Sequence, residues 1–309
     1  MTRSEILFDM IDKGLHPIQN YRRFKNIVRE TEFVYDENYP DDCTGEFYYD
    51  PEIIKKGEKV PVIVNIHGGG FVKGDKKHRE SLCGMYANRG YFVLNINYRL
   101  SPKFQFPAGV LDGVKAVNYL VKVEEKYNLD LDKVVLTGDS AGAYYASMVV
   151  AVAHNETLRE KLGCDKLQIE PACLASFCGP YDLPASIVLT KLPFQLVWDM
   201  GHCLLDDDTF QLKKDFSNIN DYKLINEISP IKWVNEKWCP SFLAMASRDV
   251  FCKGQGEALE NKLKEAGVRV YAYKSKKLLD NHCFHLDMYK AVSRKCFNEM
   301  FNFVEDVLK

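Results

Sequence analysis

Hydrophobic positions along this chain follow two repeats in alternation. Short apolar runs at 60–66, 91–98, 133–137, 172–178, 241–246 and 268–273 read as buried strands. Between them, apolar residues recur at helical spacing. These stretches are 78–88, about 107–128 with Val110, Val114, Val117 and Leu120 on one side, 143–153, 156–162 and 254–265, with a closing helix running to Lys309. Pro61 stands at the start of its run, where a strand tolerates it. Strands and helices alternating in this way predict a parallel, doubly wound sheet with right-handed crossovers.

Two stretches depart from that rhythm. Residues 1–30 read as amphipathic helix, with Ile6, Leu7, Met10 and Ile11 on one face and Tyr21, Phe24, Ile27 and Val28 continuing the pattern. Residues 31–35 and 45–49 then alternate like two antiparallel edge strands around a turn at 39–42. Residues 183–232 carry no strand signal but hold Leu192, Phe194, Leu196, Trp198, Met200 and Phe210. A structureless insertion of that length is uncommon in a compact domain. The expectation is one domain over 1–309, with a mostly helical lid built from 1–30 and 183–232.

One turn organises the chemistry. Gly138-Asp139-Ser140-Ala141-Gly142 joins the run 133–137 to the helix that follows, which is G-x-S-x-G between a strand and a helix. A strand that reverses sharply into a helix holds its apex residue in a strained conformation and leaves the hydroxyl in the open, at the positive end of a helix dipole. The flanking glycines allow strand and helix to approach.

A serine hydroxyl is a poor nucleophile and needs a base within reach, and the base needs a carboxylate to fix its tautomer. In a parallel sheet such groups come from loops at the carboxyl ends of strands. Asp249 lies just past one late strand and His282 in the loop after the next. Asp280 is the rival acid and His285 the rival base; His285 is read as the start of the last helix. His16, His78, His154 and His202 fall on helical or lid patterns and read as surface or packing residues. His67-Gly68-Gly69-Gly70 follows the strand 60–66, where consecutive glycines let backbone N–H groups turn toward one point. Gly69 and Gly70, with Ala141, are the expected oxyanion donors. Without G-x-G-x-x-G or a Walker lysine, a phosphate-binding turn is the weaker reading.

Composition narrows the rest. The chain has 309 residues, 46% apolar and 27% charged, with a formal net charge of −2, which points to neither a nucleic-acid nor a membrane-surface partner. The basic clusters 76–79 and 274–277 are short and read as solvated. No apolar stretch reaches the ~18 residues of a membrane span, and none resembles a secretion signal. A cytoplasmic protein is therefore expected. Ten cysteines are scattered without zinc spacing, and Cys173, Cys178 and Cys239 read as small buried hydrophobes. Dimerisation through an edge strand or the last helix stays open.

His67-Gly-Gly-Gly-Phe71, Tyr98-Arg-Leu-Ser-Pro102, Phe106-Pro107-Ala108, Asp112, Gly138-Asp-Ser-Ala-Gly142, Asp249-Val-Phe251 and His282-Cys-Phe284, in that order, resemble the motifs of the hormone-sensitive-lipase-like family of α/β-hydrolase esterases. The resemblance covers about residues 60–300. It implies an α/β-hydrolase fold, a mostly parallel central sheet flanked by helices with a helical lid. It also implies Ser140 as nucleophile, Asp249 as acid and His282 as base, with Tyr98, Arg99 and Asp112 bracing the elbow. Lys103, Ala143-Tyr144 and Cys283 depart from that family's usual pattern and bear on pocket shape. The implied function is a serine carboxylesterase for small, short-chain acyl esters, with no metal or organic cofactor. An amidase or arylformamidase would use the same three residues. A non-catalytic ligand-binding relative would have lost one, and none is lost here.

Overall fold

The computed structural model describes residues 1–276 and 280–309, apart from the side chain of His16. His16 and Lys277, both read above as ordinary surface positions, therefore lie outside the described residues. The strands are β1 Val28–Val34, β2 Thr44–Tyr49, β3 Val60–Ile66, β4 Phe92–Ile96, β5 Leu129–Asp139, β6 Cys173–Phe177, β7 Ser241–Met245 and β8 Val270–Lys274. The helices are α1 Arg3–Gln19, α2 Pro51–Lys55, α3 Glu80–Ala87, α4 Ala108–Tyr127, α5 Ala141–His154, α6 Glu156–Leu162, α7 Leu183–Leu189, α8 Phe194–Leu205, α9 Gln255–Glu265 and α10 Ala291–Val307.

All the strands form one eight-stranded sheet in the order β1-β2-β4-β3-β5-β6-β7-β8. β2 is antiparallel to β1 and β4; the other pairs are parallel. Alternation along β3 fixes its two faces. Val62, Val64 and Ile66 join the core packed by α4 and α5, with Val110, Val117, Tyr144 and Met148, whereas Ile63 joins the core packed by α3 and α10, with Tyr86, Cys296, Met300 and Phe301. Register brings the carboxyl ends together. Ile66 pairs with Gly138 and Asp139 with Phe177, so the glycine loop after β3, the turn after β5 and the exit of β6 meet at one edge.

Several expectations need correction. β2 is an interior strand, because β1 covers it. α1 stops at Gln19 with Pro17 in its last turn, and Val28 already belongs to β1. Ile6 and Met10 are exposed; Ser4 and Phe8 are the buried positions of α1. The insertion is helical only in its first half, through α7 and α8. Beyond Leu205 it holds two single-turn 3₁₀ pieces, Ile219–Asp221 and Pro230–Trp233. The cause is local: Asp206 accepts from Leu212 N–H, and Asp207 from Thr209 and Phe210 N–H, which gives the backbone partners outside a helix. His285 does not begin the last helix. It sits in a separate 3₁₀ turn, Phe284–Leu286, and is fully buried.

The basic cluster 76–79 is not a solvated loop either. Lys76 and Arg79 are both buried, Lys76 reaching Thr44 Oγ1 at 2.9 Å. Phe194 and Trp198, the aromatics of the 183–232 segment, do not line the cavity over Ser140. Phe194 is exposed, and Trp198 stacks on His202 and donates to the Leu212 carbonyl. Among the described residues no helix is long and apolar enough to cross a membrane.

Candidate active site

Ser140 stands at the apex between β5 and α5 with φ 54° and ψ −120°, a strained backbone for a residue with a side chain. Its neighbours leave no alternative. A Cβ on Gly142 would lie 2.0 Å from the Ile66 carbonyl oxygen, and one on Gly138 2.5 Å from the Gly142 backbone. Ser140 N–H donates to the Phe177 carbonyl at 2.9 Å, which locks the turn to β6.

His282 lies between the serine and a carboxylate. Its Nε2 is 2.8 Å from Ser140 Oγ, and its Nδ1 is 2.9 Å from each carboxylate oxygen of Asp249. Asp249 is itself oriented, its Oδ1 accepting from Phe251 N–H at 2.9 Å and Cys252 N–H at 2.7 Å. The loops after β7 and β8 are joined by a bridge between Arg248 and Asn281, and Asn281 Oδ1 accepts from His282 N–H. The Phe251 ring covers the imidazole at 4.6 Å. Burial works against the imidazolium, but Asp249 outweighs it, so the His282 pKa is raised above 6.5. Burial likewise opposes the Asp249 carboxylate; the His282 charge and the two N–H donors hold its pKa below the usual value.

The rivals are placed elsewhere. Asp280 is buried, and its backbone carbonyl accepts from Arg248 N–H. His285 stacks on Phe177 with ring centroids 4.2 Å apart, and neither of its nitrogens has a hydrogen-bond partner among the described residues. Burial drops its pKa to about 3, so it is neutral at working pH.

The predicted oxyanion donors divide. Gly70 and Ala141 line the cavity over Ser140, and no backbone carbonyl among the described residues accepts from their N–H groups. Gly69 is not part of that lining; its carbonyl accepts from Val72 and Lys73 in a turn, at φ 139°. The cavity is about 100 Å³. Its walls are apolar, with Leu183, Ile187, Val197 and Leu204 from α7 and α8, and Phe8 from α1. A Cβ on Gly70 would lie 2.1 Å from the Phe8 ring. α1 is tied down by Ser4, whose N–H and Oγ both meet Asp199 at 2.7 Å.

The elbow brace differs from its expectation. Tyr98 does reach the glycine loop, donating to the His67 carbonyl at 2.9 Å. Arg99 and Asp112 join the loop after β4 to α4 instead. The counter-ion at the elbow is Arg79, a residue sequence reasoning missed, which forks onto Asp139 at 2.6 and 2.7 Å. Burial opposes the Asp139 carboxylate and Arg79 more than offsets it, leaving the pKa at about 2. An aspartate inside a buried turn, which needs a cation from elsewhere in the chain, was the available signal.

A serine on a strand-to-helix turn, with a histidine and an aspartate on loops after later strands of a mostly parallel sheet, defines the α/β-hydrolase class. The BD-FAE family profile matches residues 48–263, and the chain belongs to that family. It is 23% identical to esterase LipQ of Mycobacterium tuberculosis over 219 residues, 70% of this chain but 49% of LipQ. It is 25% identical to ethyl acetate hydrolase of Pseudomonas putida over 211 residues, 67% of this chain and 61% of that protein. The chain thus spans roughly half of these curated relatives. Among solved structures, esterase B from Lactobacillus rhamnosis superposes with a TM-score of 0.83 at 21% identity, over 99% of this chain and 94% of that one. That likeness carries the fold.

Proposed function

We propose that this protein is a serine carboxylesterase acting on small, short-chain acyl esters. The observation that carries the reading is His282, in hydrogen-bond reach of Ser140 on one side and Asp249 on the other. His282 takes the proton of Ser140 as Oγ attacks the ester carbonyl. Gly70 and Ala141 N–H groups face the oxyanion, and the turn at Gly69, which the sequence put among the donors, holds Gly70 in place. His282 then protonates the departing alcohol, and water hydrolyses the acyl-enzyme by the same route in reverse. Asp249 holds the imidazole in the required tautomer. The segments 1–30 and 183–232 form the roof of the site.

The short-chain preference rests on space. An apolar cavity of roughly 150 Å³ accommodates benzene, so a cavity of about 100 Å³ suits an acyl chain of about four carbons. Two similar proteins agree: one is an ethyl acetate hydrolase, and esterase B was captured with a tributyrin phosphonate. The test is a p-nitrophenyl ester series from acetyl to decanoyl, run on wild type and Ser140→Ala, with a matched butyramide alongside. Short chains should give the highest kcat/KM, the amide should be slower, and Ser140→Ala should lose at least about a thousandfold. Equal turnover by wild type and Ser140→Ala would remove the mechanism; a faster amide would make the enzyme an amidase.

A further inference from the structure

Folding brings together thiols that lie far apart along the chain. Cys178 follows β6 and Cys283 follows His282, and each thiol meets a carboxylate of the site: Cys178 Sγ lies close to Asp249, and Cys283 Sγ is 3.9 Å from Asp139 Oδ2. Cys178 Sγ, a carboxylate oxygen of Asp249 and a ring nitrogen of His282 all lie within 4.8 Å of one another. Cys178 and Asp249 are buried, and the His282 side chain is 12% exposed. A second set with donors as close, Asp36, Cys43 and Asp112, differs in charge: Lys115 already neutralises Asp36, and Arg99 neutralises Asp112. At Asp249 the partner is an imidazole that is neutral when it acts as a base, so the carboxylate's charge is available to a cation.

We propose that Cys178, Asp249 and His282 form a chelating site for a thiophilic divalent cation, zinc foremost, and that occupancy of this site and hydrolysis exclude one another. Zinc takes sulfur, imidazole nitrogen and carboxylate oxygen at roughly 2.0–2.3 Å in a tetrahedron, which needs donor atoms roughly 3–4 Å apart. His282 Nδ1 and the Asp249 oxygens are 2.9 Å apart, and all three donors lie within 4.8 Å of one another, close to that spacing. The charges close: one thiolate and one carboxylate balance a divalent ion, so the buried site becomes neutral.

Binding is proton-balanced as follows. The Cys178 thiol gives up its proton to solvent and a sulfur–metal bond forms, so one proton leaves per ion. The metal takes His282 Nδ1, and the neutral ring then carries its proton on Nε2. That N–H points at Ser140 Oγ and cannot accept the serine proton. The base is lost while Ser140 and the pocket stay in place. A cavity of about 650 Å³ lined by Cys178 and Asp249, but not by Ser140, gives the ion a route separate from the substrate pocket. Lys191, Arg248 and Lys253 also line it, against Glu257, so charge there slows arrival.

The loss of activity rests on the esterase reading; the binding does not, and the experiment separates them. Cobalt(II) is added to the full-length Ser140→Ala protein and followed by its visible and sulfur-to-cobalt charge-transfer absorption. A one-to-one sulfur-ligated band, formed with release of one proton and displaced by zinc with no further release, is expected. The same band should be absent from Ser140→Ala carrying Cys178→Ser, or Cys178→Ala if the serine variant does not fold. In the otherwise wild-type protein, zinc should suppress butyrate-ester hydrolysis reversibly with EDTA, and magnesium should not. Cys178→Ser should keep basal turnover and need at least ten times more zinc. A sulfur band without any esterase activity would leave the site standing and remove the proposed function. No sulfur band, or one that survives Cys178 replacement, would overturn the site.

Discussion

The edge of the sheet that carries Ser140 and the segments that cover it are held by different physics. At the edge, backbone meets backbone. The contacts that a side chain at Gly138 or Gly142 would make are with main-chain atoms that cannot move aside. In the cover, side chain meets side chain. A Cβ on Gly201 of α8 would come 3.0 Å from a terminal methyl of Leu212, which can rotate away. α1 rests on the Phe8 ring and on Ser4 bonded to Asp199. The cover also leaves apolar side chains in solvent, among them Met10, Val188 and Phe194. A site needs both: an edge rigid enough to hold a strained serine, and a cover that can adapt to a substrate.

The largest effect that sharpens this contrast comes from paired glycine substitutions. Gly142→Ala should abolish soluble, cooperatively unfolding protein, whereas Gly201→Ala should fold and unfold within about 1 kcal/mol of wild type, by urea denaturation. Similar stability for the two variants would erase the distinction.

Next comes the ion pair under the elbow. Arg79→Ala leaves the Asp139 carboxylate buried without its partner and should cost about 3–5 kcal/mol at pH 7. The pH dependence has a definite sign. A carboxyl whose folded pKa is about 2 contributes stability above its unfolded value of 3.8 and loses it as pH falls through about 2. The gap between wild type and Arg79→Ala should therefore narrow near pH 3. A gap independent of pH would point to packing instead.

The smallest effect is in the cover. Ser4→Ala removes one of two hydrogen bonds to Asp199 and should cost about 1 kcal/mol. It loosens α1 over the cavity, so KM for the butyrate ester should rise while kcat holds. A fall in kcat with KM unchanged would mean that α1 acts on the chemistry.

What could be read from the sequence follows the same division. Where the backbone imposes the pattern, the residues announce it: β3 runs over Val60–Ile66 as its apolar run predicts, and G-x-S-x-G stands at the strand-to-helix turn. Asp249 and His282 could be picked out because strand ends in a parallel sheet share an edge, and the structure puts them in contact. In the cover, periodicity misled. Ile6 and Met10 of the apolar face of α1 are exposed, and the buried positions are Ser4 and Phe8, chosen by Asp199 and Gly70 far along the chain. Arg79 was hidden for a related reason: a run of charges looks solvated until a buried Asp139 claims one of them. His285 could not be told from His282 by type or spacing alone; its burial against Phe177 separates them.

The account depends on which imidazole serves Ser140, so the most direct measurement is kcat/KM for the butyrate ester across pH in wild type, His282→Ala and His285→Phe. Wild type should lose activity toward acid through a pKa above 6.5, as the raised pKa of His282 requires. His285→Phe should keep that limb and most of the rate, because it replaces a buried ring that makes no hydrogen bond among the described residues. His282→Ala should fall by at least about a thousandfold. The opposite outcome, a crippled His285→Phe and an active His282→Ala, would contradict the assignment.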